Sequence, residues 1–513
     1  MDKERRERLE RGELLLVLVL LCLGAVLRCV GTGSFPPGLN QDEASTGYDA
    51  WALLLSGMDR NGDAWPVLFS SWGSGQNALY AYVLLPFLAL FGRSVAVLRL
   101  PAALLGTVSL FLFWRLGRRY AGPRGGICAL ALLALNPWHL LISRWALESN
   151  LLPFCLLLGV YFLDLALRER PWRLLPAAAA LGLGLYAYGT AFLFLPLFLL
   201  PCCLLLLRRR FPLPPFLLAL GLFLLLAFPV LLCNLRNILG MGSMQLLGFT
   251  LPRLTQTRQA ATMSFSLKNL TDALKLLWKQ SDGLPWNSAG PFGLLWSFPG
   301  LFLSLWGLGC TLYRLCTRKA ANMDLLSLFA LFASLVSCLF IQVNVNRVNF
   351  LFLPLVWFQA VGTETILRRL PGLSIPACAL LLCASVFLCR YCLTVQRAAL
   401  ESAFHTGLCQ AIAAVEEEDG PVWISSRVNM PYIYVLFTTG IPPEEFLATV
   451  RYADPDSPFR HAVGFGRWRF GSIPPEEGLC ILTETEARSY EEAGYLRIRA
   501  VFGLYAVAEA GDF

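Results

Sequence analysis

The stretch LLLVLVLLCLGAVLRCVGTGSFPPGLNQDE, residues 14–43, decides the fold. Its first part, Leu14–Val30, is an apolar run close to the ~20 residues that a helix needs to cross the hydrocarbon core of a bilayer. No small-residue cleavage site precedes the next motif, so the run reads as a retained span and not as a signal peptide. The polar Asn40-Gln41-Asp42-Glu43 follows shortly after it.

Further apolar runs lie at 96–116, 125–142, 149–167, 173–188, 191–207, 212–233, 293–313, 325–342, 350–367 and 373–393. The run at 78–91 has 14 residues, a length more typical of a re-entrant or interfacial segment. Lys and Arg in short loops mark the inner side of a membrane protein. Lys3, Arg5, Arg6, Arg8 and Arg11 place the N-terminus in the cytoplasm. If 78–91 does not cross, the clusters at Arg118/Arg119/Arg124, Arg208–Arg210 and Arg368/Arg369 also fall inside. The preferred topology therefore has eleven crossings and an outer C-terminus, with twelve segments as the alternative. It sets outside the polar stretches 32–77, 136–150, 234–292 and 343–349.

Composition agrees. Of 513 residues 56% are hydrophobic and 15% charged, where soluble chains average roughly 25% charged. A soluble enzyme and a disordered chain are both excluded. The net charge of +8 does not point to nucleic acid, because the basic residues form no continuous stripe. It is a sum over unlike parts. Residues 394–513 carry 17 Asp and Glu against 9 Arg, and residues 1–393 carry 33 Lys and Arg against 17 acids. The expected organisation is a transmembrane domain, 1–393, and a small extracytoplasmic α/β domain, 394–513. Strands are expected at Val422–Ser425, Leu479–Leu482 and Ala500–Ala508, between proline-marked turns. Fourteen of the 16 cysteines precede residue 394, mostly in apolar runs where Cys acts as a small hydrophobe. Cys409 and Cys480 are left in the tail, where pairing is an open question.

Several polar groups could carry chemistry. Asp42 and Glu43 open a short amphipathic helix, Ala44–Ser56. They suit the positive end of its macrodipole, the reading that position alone favours, and one of them could instead serve as a base. Arg144 and Glu148 stand four apart, a spacing that gives a surface ion pair of about 0.3–0.5 kcal/mol or a cation and an acid at the mouth of the bundle. Arg99, in Val97-Leu98-Arg99-Leu100-Pro101, is an ionisable group in an apolar stretch and so a functional candidate. Asn344, Asn346, Arg347 and Asn349 could bind phosphate and sugar hydroxyls, the planar guanidinium donating two parallel bonds. Leu267–Lys279 reads as a basic amphipathic helix at the lipid surface, with Leu270, Leu274 and Leu277 on one side.

In order and spacing, these blocks resemble the bacterial glycosyltransferase family 39, the group of the protein O-mannosyltransferases and aminoarabinose lipid A transferases. The likeness rests on Asp42-Glu43, on Val97–Pro101 followed by Arg118-Arg119, and on Asn136-Pro137-Trp138-His139 with Ser143-Arg144-Trp145-Ala146. Asn344–Asn349 leading into Phe352-Leu353-Pro354-Leu355 completes it. The resemblance implies a polytopic α-helical GT-C fold and a transferase using a polyprenyl-phosphate-linked sugar. It implies Asp42 as catalytic base with Glu43 assisting or binding the acceptor, and Arg99 and Arg347 on the donor phosphate. Arg144, Glu148, Asn344, Asn346 and Asn349 would bind substrate. The family's second-loop acid is usually Asp, and Glu148 departs from that.

The chemistry is self-consistent. A lipid-phosphate sugar carries its own leaving group, so no nucleotide loop is needed, and no Gly-rich phosphate loop is present. A carboxylate would take the acceptor hydroxyl's proton, arginines would stabilise the departing phosphate, and a single displacement would invert the anomeric centre. The expected partners are the lipid-linked donor, a protein, glycan or lipid acceptor, and membrane lipids. No cofactor is required. A divalent cation bridging carboxylate and phosphate is compatible with the ligand set, which does not demand one. Two other readings stand beside this one: a polymerase or ligase using a lipid-diphosphate oligosaccharide, and a lipid or sugar transporter.

Overall fold

The computed structural model describes residues 3–71, 74–254, 264–455, 457 and 460–511. The portions of the two expected outer loops at 72–73 and 255–263 lie outside the described residues. The chain forms two compact units, each gathered from separated stretches. One takes residues 1–30, 102–228 and 259–396; the other takes 31–101, 229–258 and 397–513.

Among the described residues, eight helices are long and apolar enough to cross a membrane. Leu79–Phe91 and Asn322–Cys338 are shorter apolar helices. Every expected run is helical, but not with the expected bounds. The runs 96–116 and 125–142 form two helical segments within Val95–Ala134, separated at Ala121 and Gly122, whose backbone is not helical and where Gly122 has φ +70°. The second run also stops early. Asn136 Oδ1 accepts the His139 N–H at 3.1 Å, and Pro137 opens a separate helix, Pro137–Ile142. Proline fits this first helical position because its missing N–H would have had no partner. The run 173–188 is helical only over Leu174–Gly184.

In the first unit the helices Ser297–Cys316 and Asn349–Arg369 lie backbone against backbone. A Cβ on Gly307 would fall 1.8 Å from the Phe358 carbonyl oxygen. Ser304 Oγ donates to Leu355 O across the same contact at 3.0 Å. Small residues admit the close approach and the hydroxyl bonds across it, the packing mode of helices in lipid. Leu267–Lys279 forms with the expected bounds, capped by Ser266 Oγ on the Lys268 N–H. Its packed side is Asn269, Ala273 and Leu276, whereas Leu274 is exposed. Leu274 therefore belongs to a second apolar side with Leu267 and Trp278.

In the second unit a seven-stranded sheet runs in the order Leu496–Phe502, Tyr505–Ala510, Gly478–Thr483, Val422–Ser425, Trp468–Gly471, Ala462–Phe465, Arg451–Tyr452. Val422–Ser425 is parallel to both its neighbours, and the other pairs are antiparallel. Two of the three expected strands form at their places. The third, Ala500–Ala508, is two: Leu496–Phe502 turns at Gly503 and Leu504 and returns as Tyr505–Ala510. The turn is invisible to hydrophobicity because Leu504 is apolar. Trp423, Cys480, Leu482, Leu496, Ala506 and Ala508 share the core. Cys409 and Cys480 are each a free thiol.

Candidate active site

Asn40 starts the 16-residue helix Gln41–Ser56. Its Oδ1 accepts the Asp42 N–H at 3.0 Å, and its own N–H donates to Glu43 Oε2 at 3.2 Å. This reciprocal cap satisfies donors that a helix start otherwise leaves open. It fixes the two acids on the first turn. Glu43 points inward and is fully buried; Asp42 is half-buried.

Arg99 closes on Glu43. Its Nε donates to Oε1 at 2.8 Å and its Nη2 to Oε2 at 2.7 Å. Nη1 donates to Thr32 O at 2.8 Å and Pro36 O at 2.7 Å, and Nη2 also to Gly38 O at 2.9 Å. A guanidinium has five N–H groups, and all are used. The residue expected on the donor phosphate is thus bonded within the chain at every N–H. The residue ties the 32–38 loop and the Glu43 carboxylate into one buried knot. A buried pair holds only when such extra hydrogen bonds satisfy both charges.

A second charged cluster in this unit was not singled out from the sequence. Arg60 Nη1 lies 3.1 Å from Asp49 Oδ2, and its guanidinium also donates to Ser45 Oγ at 2.5 Å and Ser71 Oγ at 2.8 Å. Asp59 Oδ1 accepts the Asn61 and Asp63 N–H groups at 2.8 and 3.0 Å, tying a tight turn. Burial pushes the Asp49 and Asp59 carboxyls up. Burial, with the nearby Asp59 charge, pushes Asp63 up to about 7. The available signal was the alternation of Asp59, Asn61 and Asp63 around Arg60. Among the described residues, no group of three or more His, Cys, Asp and Glu side chains could hold a metal ion.

The remaining site residues lie in the first unit. Arg144 and Glu148 do not share a helix: Pro137–Ile142 ends before them, and Glu148 begins a 3₁₀ turn, Glu148–Leu151. Arg144 Nη1 donates to Leu27 O at 2.6 Å and Nη2 to Val30 O at 3.0 Å. It thus caps the carbonyl end of Lys3–Cys29, where a cation is favoured. Arg28, which sequence reasoning passed over, does the same for Val95–Ala134, donating to Leu133 O and Ala134 O at 3.0 Å. Glu148 is buried. Asn349 is buried too: its Oδ1 accepts the Trp138 N–H at 2.9 Å and its Nδ2 reaches Ser149 O at 3.5 Å. It joins the 136–150 and 343–349 segments to each other. Asn344 Oδ1 accepts the Arg347 N–H at 2.8 Å, and Arg347 Nη1 reaches Gln342 Oε1 at 3.2 Å. Val345 N–H donates to Asp282 Oδ2 at 2.9 Å. Asn346 Oδ1 and Ser149 Oγ are buried without a hydrogen-bond partner among the described residues.

Residues 76–232 match the family described as dolichyl-phosphate-mannose-protein mannosyltransferase. No curated protein matches the chain in sequence. ArnT from Cupriavidus metallidurans in the apo state is similar over 97% of both chains, with a TM-score of 0.55 at 15% identity. The same protein bound to undecaprenyl phosphate is similar over the same shares, with a TM-score of 0.55 at 14% identity. The Archaeoglobus fulgidus oligosaccharyltransferase in complex with zinc and sulfate gives a TM-score of 0.50 at 13% identity, over 93% of this chain and 69% of that one. The fold is that of the GT-C membrane glycosyltransferases, as the sequence resemblance implied.

Proposed function

We propose that this chain, which has the GT-C fold, is itself a multi-pass membrane glycosyltransferase. It transfers a sugar from a polyprenyl-phosphate donor to a hydroxyl of a protein, glycan or lipid acceptor outside the cytoplasmic membrane. The observation that carries the reading is the division of labour between adjacent acids. Glu43 is bound by Arg99 and by the Asn40 N–H. The proton-accepting role is assigned to Asp42, half-buried beside it on the first helical turn. The acceptor O–H gives its proton to Asp42 as its oxygen bonds the anomeric carbon. The bond from that carbon to the phosphate oxygen breaks, and the lipid phosphate leaves with the electron pair. Arg347, with Asn344 and Asn346, is assigned to the phosphate and sugar hydroxyls, and Glu148 to the acceptor side. The undecaprenyl phosphate bound by ArnT supports a lipid-phosphate donor, and the loop arginines support a cytoplasmic N-terminus.

The test is product analysis by mass spectrometry. The purified protein in lipid nanodiscs is incubated with undecaprenyl-phosphate-linked hexoses and pentoses and a cell-envelope extract. A covalent glycoside made by the native chain and lost in Asp42→Asn supports the reading. Turnover only with a lipid-diphosphate oligosaccharide would make the chain a polymerase or ligase. Substrate flux in proteoliposomes without covalent product would make it a transporter.

A further inference from the structure

The three residues that precede Asp42 are each bonded to the C-terminal region. Leu39 N–H donates to Phe404 O at 2.5 Å. Asn40 Nδ2 donates to Ala403 O at 3.4 Å. Gln41 Oε1 accepts from Asn429 Nδ2 at 2.5 Å. The same helix is held further along, where Tyr48 O–H donates to Ile441 O at 2.8 Å. The Phe404 ring, fully buried, lies under the Arg99 guanidinium at 5.6 Å. Gly38 sits between them with φ +80°, and a Cβ there would stand 2.2 Å from Phe404 O. The approach is too close for any side chain.

A helix start is ordinarily the part of a helix that opens first. Here it is fastened at consecutive positions on one side by residues 403, 404 and 429, and on the other by Arg99. An appended domain joined only by its linker would make none of these bonds. We infer that residues 397–513 brace the acid site: Phe404 and Asn429 are positioning residues that set where the Asp42 carboxylate stands. The inference rests on the reading of Asp42 as base, and it extends that reading to a region otherwise taken as an accessory.

The test needs no substrate. Phe404→Ala, Asn429→Ala and Gly38→Ala are made in the full chain in lipid nanodiscs, with Phe404→Tyr as the conservative control. Amide hydrogen exchange is followed at residues 39–43, alongside the rate at which a water-soluble carbodiimide labels Asp42. The expected result in the first three variants is exchange at 39–43 faster by roughly tenfold or more, the signature of a local opening. Asp42 labelling should change with it, the strand Gly478–Thr483 should keep its protection, and Phe404→Tyr should behave as the native chain. A variant that also loses protection at Gly478–Thr483 has unfolded the region, and the other two then decide. Native-like exchange at 39–43 in every variant whose sheet stays protected overturns the brace. Full turnover by Asp42→Asn would instead remove the base, a result independent of the exchange data.

Discussion

Arg99 holds Glu43 by two parallel bonds, Nε to Oε1 at 2.8 Å and Nη2 to Oε2 at 2.7 Å, with both side chains wholly buried. The pair sits where the 32–38 loop meets the helix that carries Asp42.

Breaking this pair leaves a buried charge without its partner, a loss of about 3–5 kcal/mol. Arg99→Ala and Glu43→Ala should both lower the thermal unfolding midpoint markedly in detergent. Arg99→Lys should rescue little, because an ammonium has three donors and no planar geometry to match the five bonds. A native midpoint in Arg99→Lys would show that the fork is not what holds the loop.

Asp42→Asn keeps the size of the side chain and leaves the Asn40 cap in place. Its midpoint should match the native protein, while turnover falls by about 10²–10⁴, the usual worth of a positioned base. Single-turnover kinetics on the donor identified by product analysis measures this directly.

Arg144 should behave as a structural cap. Arg144→Met removes the bonds to Leu27 O and Val30 O, each a charge-assisted bond of about 1.5–3 kcal/mol at most. The expected outcome is a lower unfolding midpoint with the Michaelis constant for the donor unchanged. A raised constant at native stability would return Arg144 to the substrate.

Asp63 gives a pH dependence. Its folded value lies at about 7 and its unfolded value near ~3.9. Between these the folded chain keeps a proton that the unfolded chain has lost. Stability should therefore fall as pH rises through that window and level off above it. Asp49 and Asp59, also pushed up by burial, add in the same direction. Unfolding midpoints measured from pH 5 to 8 should decline in the native protein, and less steeply in Asp63→Asn.

The membrane-spanning class was legible in the sequence, because a run of apolar residues has one favourable environment whatever its neighbours do. The bounds of Leu267–Lys279 and Val422–Ser425 were legible for a similar local reason: periodicity and turn residues act over a few positions. The acid pair was legible as a pair, and its cap was present too, in the Asn40 to Glu43 spacing. What the acids do was not. Glu43 and Asp42 have nearly the same chemistry, and the approach of Arg99, 56 positions away, is what makes Glu43 a fully buried, ion-paired acid while Asp42 stays half-buried.

Arg99 and Arg144 show the same boundary from the cationic side. An arginine in an apolar stretch, as Arg99 is, announces that something must satisfy it, whereas Arg144 was read with Glu148, four residues on, and the structure gives it backbone carbonyls instead. Whether the partner is a substrate phosphate or a backbone carbonyl depends on where helix ends and loops arrive in space. The bonds that fasten residues 39–41 are harder still to foresee, since two of their three acceptors are the backbone carbonyls of Ala403 and Phe404. Every residue offers a carbonyl, so composition carries no trace of which ones are used. The sequence by itself determined the solvent this protein folds in and the residues that must find partners there. The tertiary structure decided which partners they found, because buried polar groups are satisfied by geometry, and geometry is set by distant parts of the chain.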